Sequence, residues 1–212
     1  TYDNLLCLSM TLELIVLAVA LILIGLVFVY TLISGSPPTP TSRRVRGVML
    51  RLLPRRLPLS ELQSIYELGS GWSGLAPYLS YCYPNHQVIG IERSPLPWLI
   101  SRSLAIFRRT ENLSLYWGDF MQRDLSDARL VVCYLAGRQM EKLEQKLSAE
   151  LRAGALVLTH TFAMPNWQPV DMVRADDFYR SPIYLYEVSS EPRGFVASAS
   201  QNATGVSTSL ES

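Results

Sequence analysis

The chain has 212 residues, 49% of them hydrophobic and 17% charged, with 19 Lys and Arg against 18 Asp and Glu. So much apolar content with so little charge excludes an intrinsically disordered chain, and three cysteines exclude a disulfide scaffold. The near-zero net charge hides an asymmetry, because no Lys or Arg precedes Arg43. That asymmetry points to a membrane.

Residues 14–42 contain no charged side chain, and residues 14–33 are almost wholly Leu, Ile, Val, Ala, Phe and Tyr. About 20 such residues at roughly 1.5 Å each match the roughly 30 Å hydrocarbon core of a bilayer. One transmembrane helix, at about residues 12–33 of an N-terminal segment 1–42, is therefore expected. A cleaved signal peptide fits less well: it needs a basic start and a shorter apolar core, whereas Asp3 and Glu13 precede this one. Because the sequence opens on Thr1 rather than Met, its start is expected to be incomplete.

Arg43, Arg44, Arg46, Arg51, Arg55 and Arg56 follow before the next acid, Glu61. The positive-inside rule then puts the N-terminus outside and the following domain in the cytoplasm. Val45, Val48, Met49, Leu52 and Leu53 share one helical face, so residues 43–56 read as a basic juxtamembrane amphipathic helix lying on anionic headgroups. The bilayer is thus an expected partner. Nucleic acid is not, since residues 57–212 carry 13 basic and 16 acidic groups. No metal is expected either, because Cys7, Cys82, Cys133, His86 and His160 lack ligand spacing.

From residue 57 to 188, short apolar runs alternate with helical patterns, which predicts an α/β domain with a Rossmann-like, mostly parallel sheet. Strands are expected at 64–68, 87–92, 113–117, 129–135 and 155–161, with helices at about 73–83, 97–109 and 138–151. Runs near 170–173 and 182–188 predict a terminal antiparallel pair. Residues 189–212, rich in Ser, Ala, Thr and Gly, read as a disordered tail.

The motif that carries chemistry is Glu67-Leu68-Gly69-Ser70-Gly71-Trp72-Ser73-Gly74, a G-x-G-x-x-G spacing between a strand and a helix. Glycines belong there because the turn is tight and a ligand must approach the backbone. Glu92 ends the second strand, where a carboxylate accepts from ribose hydroxyls. A dinucleotide would set its pyrophosphate at the helix start, and Glu67, aimed at the same space, would repel it. The same carboxylate suits the ammonium and sulfonium of S-adenosylmethionine. Asp119, after the third strand, can accept from the adenine amine. Glu67, Gly69, Ser70, Gly71, Trp72, Gly74, Glu92 and Asp119 are accordingly the expected cofactor-binding residues.

These features resemble class I S-adenosylmethionine-dependent methyltransferases. Glu-Leu-Gly-Ser-Gly at 67–71, Gly90-Ile91-Glu92 with Pro95-x-x-Trp98-Leu99, and Phe162-x-x-Pro165-x-Trp167-Gln168-Pro169 are similar to the membrane-associated lysine methyltransferases. That family includes enzymes acting on the ATP-synthase c-subunit and on adenine nucleotide translocase, with bacterial relatives. The glycine loop here continues as Trp72-Ser73-Gly74 in place of the family's acidic-Gly-Arg. The resemblance implies methylation of a lysine on a membrane or membrane-adjacent protein, at a bacterial inner membrane or a mitochondrial membrane. For that chemistry Tyr134, at the end of the fourth strand, and Trp167 and Gln168, after the fifth, are expected to wall the acceptor site. His160 reads as a structural histidine in preference to a base. A nicotinamide oxidoreductase and a non-catalytic nucleoside-binding membrane scaffold are the alternatives.

Overall fold

The computed structural model describes residues 2–34, 42–57, 64–72, 74–108, 110–135 and 137–189, with side chains of the first helix described at 10–26, 28 and 29. The centre is a seven-stranded sheet: β1 (Ser64–Leu68), β2 (Gln87–Glu92), β3 (Leu113–Trp117), β4 (Ala128–Cys133), β5 (Leu156–His160), β6 (Asp171–Arg174) and β7 (Pro182–Glu187). Its order is β3-β2-β1-β4-β5-β7-β6. β1 to β5 run parallel, and β7 and β6 close the sheet antiparallel, as the sequence predicts. β1 is buried along its whole length, the condition of a central parallel strand covered on both faces.

Two apolar layers hold the sheet. On one face α2 (Arg43–Leu52), α3 (Ala76–Cys82) and α4 (Pro95–Phe107) cover Ile65, Val88, Val132 and Leu158. On the other, α5 (Gly137–Glu150) lays Met140, Leu143 and Leu147 against Tyr66, Val131 and Val157. The helices start where local chemistry allows. α3 begins at Ala76 rather than 73: Trp72, Gly74 and Leu75 are not helical, and Pro77 then suits a first turn. β5 stops at His160 because Thr161 has φ +72°, which breaks the extended backbone.

The N-terminal expectations change. α1 (Tyr2–Ser34) forms over the predicted segment, and its described large apolar side chains, from Met10 to Val29, are exposed. Yet among the described residues no helix is long and apolar enough to cross a membrane. Among the described residues, the predicted transmembrane helix is therefore not found.

α2 forms where expected, capped by Ser42 Oγ accepting from Val45 N–H at 3.3 Å. Its apolar face does not lie on lipid. Val45, Val48 and Met49 are buried in the same core as Leu75 and Leu79 of the α3 region, and Tyr83 OH donates to Pro54 O at 2.6 Å. Residues 43–57 are part of the α/β domain, so the interfacial reading of this face is corrected. The tail predicted at 189–212 lies, beyond Ser189, outside the described residues.

Candidate active site

The chain runs outward from β1 through β2 to β3, then crosses back to β4 and β5, so the sheet's topology reverses between β1 and β4. Open α/β sheets bind ligands at the carboxyl ends of strands flanking such a reversal. There the glycine loop leaves β1, and a cleft opens between it and the end of β4. It is narrow, with about 40 Å³ of free space, below the roughly 300–1,000 Å³ of ligand pockets. A larger depression lies along the outer edge of β3 and α4, away from the glycine loop.

Predicted residues Glu67, Gly69, Ser70, Gly71, Trp72 and Gly74 line the cleft together with Tyr134. The loop is stitched to β2: Gly69 and Ser70 N–H both donate to Ile91 O, at 2.9 and 3.1 Å. Gly69 and Gly71 adopt φ of +74° and +54°, the left-handed region that glycine enters without steric cost. Gly90 lets the loop close, since a Cβ there would sit 3.2 Å from Ser70 Cβ and 2.5 Å from Leu115 Cδ2.

The carboxylates sit differently from one another. Glu92 Oε2 accepts from Gly71 N–H at 2.8 Å and Oε1 from Ser94 N–H at 2.7 Å. A carboxylate offers about four acceptor positions, so each oxygen keeps one for a ribose hydroxyl. Glu67 is buried behind the loop and accepts from Leu75 N–H at 2.6 Å and Ala76 N–H at 2.5 Å, the first amides of α3. Burial pushes its carboxyl up to about 7, although those two amides pull it down; Glu92 adds to the rise, and Arg46 opposes it. Its oxygens thus anchor α3, and by the same count each keeps one further acceptor position. Asp119 Oδ1 accepts from Met121 N–H at 2.9 Å and caps a short 3-10 turn (Phe120–Gln122), while Oδ2 lies 3.9 Å from Arg93 Nη1. It stands at the β3 end of the site, outside the cleft lining.

Residues 67–171 match the family model of the ANTKMT methyltransferase domain. A protein-lysine N-methyltransferase of Saccharolobus islandicus (strain REY15A) is 26% identical over 156 residues, covering 72% of this chain and 93% of its own length. The adenine nucleotide translocase lysine N-methyltransferase of Mus musculus is 36% identical over 80 residues, 36% of this chain and 35% of the mouse protein. The crystal structure of an RNA methyltransferase from Salinibacter ruber in complex with S-adenosyl-L-homocysteine aligns with a TM-score of 0.64 at 26% identity, covering 75% of this chain and 99% of that one. The chain is a class I S-adenosylmethionine-dependent methyltransferase. It resembles the adenine nucleotide translocase lysine methyltransferases, and its cofactor is S-adenosylmethionine.

The residues of this methyltransferase fit that cofactor at two points: the side-chain-free face of Gly71 is open, and Glu92 has acceptor capacity to spare. Sequence reasoning missed Met49, Leu75, Val132 and Cys133, which complete the lining. The α2 periodicity indicated that Met49 is buried, and nothing in it said against what.

At the acceptor end the expectations divide. Tyr134 lines the cleft, 39% exposed, its ring centroid 4.5 Å from that of His160. Trp167 does not wall the site. It is buried in the α5 layer, donates from Nε1 to Ser148 Oγ at 3.2 Å and packs edge-on against Tyr186. The loop that carries it is pinned to α5, because Glu144 accepts from both Asn166 N–H and Asn166 Nδ2 at 2.9 Å. Gln168 is exposed and outside the cleft lining. His160 is buried, and neither ring nitrogen has a hydrogen-bond partner among the described residues.

Proposed function

We propose that this methyltransferase transfers its methyl group to a lysine side chain of a membrane or membrane-adjacent protein. The observation that carries this is the match to a protein-lysine N-methyltransferase across 93% of that relative's length. When bound, S-adenosylmethionine supplies an electrophilic methyl group: a neutral nitrogen's lone pair forms the N–C bond while the C–S bond breaks and its electron pair stays on sulfur. The chain's own residues have to position and desolvate. Gly69, Ser70, Gly71 and Glu92 hold the nucleoside end. Met49, Val132 and Cys133 supply an apolar wall that excludes water, and Tyr134 faces the incoming acceptor. A lysine amine has an ordinary pKa near 10.4, and removal from water beside such groups lowers it toward the neutral nucleophile.

The exposed apolar side chains of α1 and the absence of charge across residues 14–42 support a membrane tether, and the arginines of residues 43–56 support a cytoplasmic side for the domain under the positive-inside rule. Tethering raises the effective concentration of substrate without new contacts. RNA as substrate is the second reading, favoured by the Salinibacter ruber neighbour and opposed by the acid excess of residues 57–212. The full chain is to be incubated with methyl-labelled S-adenosylmethionine and native membranes or RNA, and the label located by mass spectrometry. Label on lysine Nζ in the membrane fraction is expected; label confined to RNA would overturn the proposal.

A further inference from the structure

We propose that His160 holds the methyl acceptor, its imidazole accepting a hydrogen bond from an N–H of the incoming amine. The inference rests on the amine-acceptor reading above and deepens it. β4 and β5 are adjacent and parallel, with Cys133 beside Thr159, so Tyr134 and His160 emerge abreast at their carboxyl ends. Their rings touch, centroids 4.5 Å apart at 46°. Tyr134 faces the cleft beside the glycine loop, and His160, only 6% exposed and itself outside the cleft lining, packs against the Tyr134 ring.

A structural histidine in such a place uses its nitrogens to tie neighbouring elements together, because a buried unsatisfied polar atom is costly. His160 ties nothing: both Nδ1 and Nε2 lack a partner among the described residues. The backbone nevertheless fixes its position. Thr161, a β-branched residue in the left-handed region at φ +72°, donates its N–H to Pro182 O at 2.7 Å, and Phe162 N–H donates to His160 O at 2.9 Å. Backbone strain of this kind persists only where surrounding contacts over-determine it.

The groups facing the ring agree with an acceptor role. Tyr134 faces it from β4, Asp177 from the turn between β6 and β7, and β7 presents apolar Ile183. Burial holds the imidazole below its usual range and Asp177 opposes this, so near pH 7 the ring is neutral and keeps a lone pair. Asp177 also places a negative charge where an approaching ammonium is attracted. The substrate loses its proton to water as it is desolvated, and the lone pair of His160 then orients the neutral amine through one N–H.

The test uses the full chain, with S-adenosyl-L-homocysteine as cofactor product and n-butylamine as probe. In wild-type protein labelled with 15N-histidine, saturating amine is expected to shift a His160 imidazole resonance, assigned by its absence from His160→Phe. His160→Phe is expected to bind S-adenosyl-L-homocysteine within twofold of wild type while kcat falls at least tenfold, and His160→Gln, which retains an acceptor, recovers part of that loss. An unmoved His160 resonance, or a kcat for His160→Phe within twofold of wild type, overturns the inference. Failure of the lysine reading appears separately, as wild-type protein that methylates no lysine, and the resonance still answers because the free amine reports contact without turnover.

Discussion

Gly74→Ala isolates the contact on which the glycine loop is built. A Cβ at this position would fall on Glu67 Oε1 and lie 2.7 Å from Ser70 O, a backbone atom that cannot swing aside. Glu67 must then withdraw from Leu75 and Ala76 N–H. Hydrogen bonds to charged groups contribute about 1.5–3 kcal/mol each, so losing two destabilises the fold by about 3–6 kcal/mol, against a total of about 5–15 kcal/mol for an ordinary domain. Gly71→Ala is the control: its Cβ would meet nothing nearer than 3.9 Å, and only φ +54° stands against it, a cost of about 1–2 kcal/mol. Urea unfolding followed by circular dichroism at pH 8, where Glu67 is ionised, measures both. A double-mutant cycle with Glu67→Gln should show strong non-additivity, because the two positions share one contact. Gly74→Ala no more costly than Gly71→Ala, or simple additivity with Glu67→Gln, would refute the reasoning.

Three further outcomes are expected. Glu67 is raised from 4.5 to about 7 in the fold, so the native state holds the extra proton; its contribution to stability is full below about pH 4.5 and lost as pH rises through 7, by up to about 3 kcal/mol. Urea midpoints between pH 4.5 and 8 should show that slope in wild type, and Glu67→Gln should flatten it. Glu92→Ala should weaken S-adenosyl-L-homocysteine binding by about 1.5–3 kcal/mol, or roughly 10–150-fold, by calorimetry, and unchanged affinity would disprove the ribose assignment. Trp167→Ala should cost about 3–5 kcal/mol of stability as a large core truncation, with the acceptor KM of the folded protein unchanged, and a raised KM would return Trp167 to the substrate site.

The limits of β1, β2 and β3 were legible to the residue, because each is a short run rich in Leu, Ile, Val and Tyr with Gly, Pro or Asn close to its ends. The glycine loop and Glu92 were legible because their geometry is local: the residues that make the turn also make the site. What failed was choosing a partner for an apolar or charged group. The periodicity of Val45, Val48 and Met49 demands an apolar surface, and lipid and the α3 layer satisfy it equally. Trp167 follows β5, but whether it turns toward the cleft or toward α5 depends on Glu144 gripping Asn166, a contact 22 residues apart in sequence. Glu67 read as a free carboxylate because the first amides of α3, which capture it, are recognisable only once the helix start is placed at Ala76. His160 looked structural because sequence alone does not reveal that its nitrogens lack partners.

The central claim is that the cleft between the glycine loop and the end of β4 holds S-adenosylmethionine, and a crystal structure with S-adenosyl-L-homocysteine bound tests it most directly. Density is expected between Gly69–Trp72 and Tyr134, with the ribose hydroxyls on Glu92 and the sulfur directed toward the Tyr134–His160 pair. A ligand seated along the outer edge of β3 and α4, or one whose ribose does not reach Glu92, would contradict it.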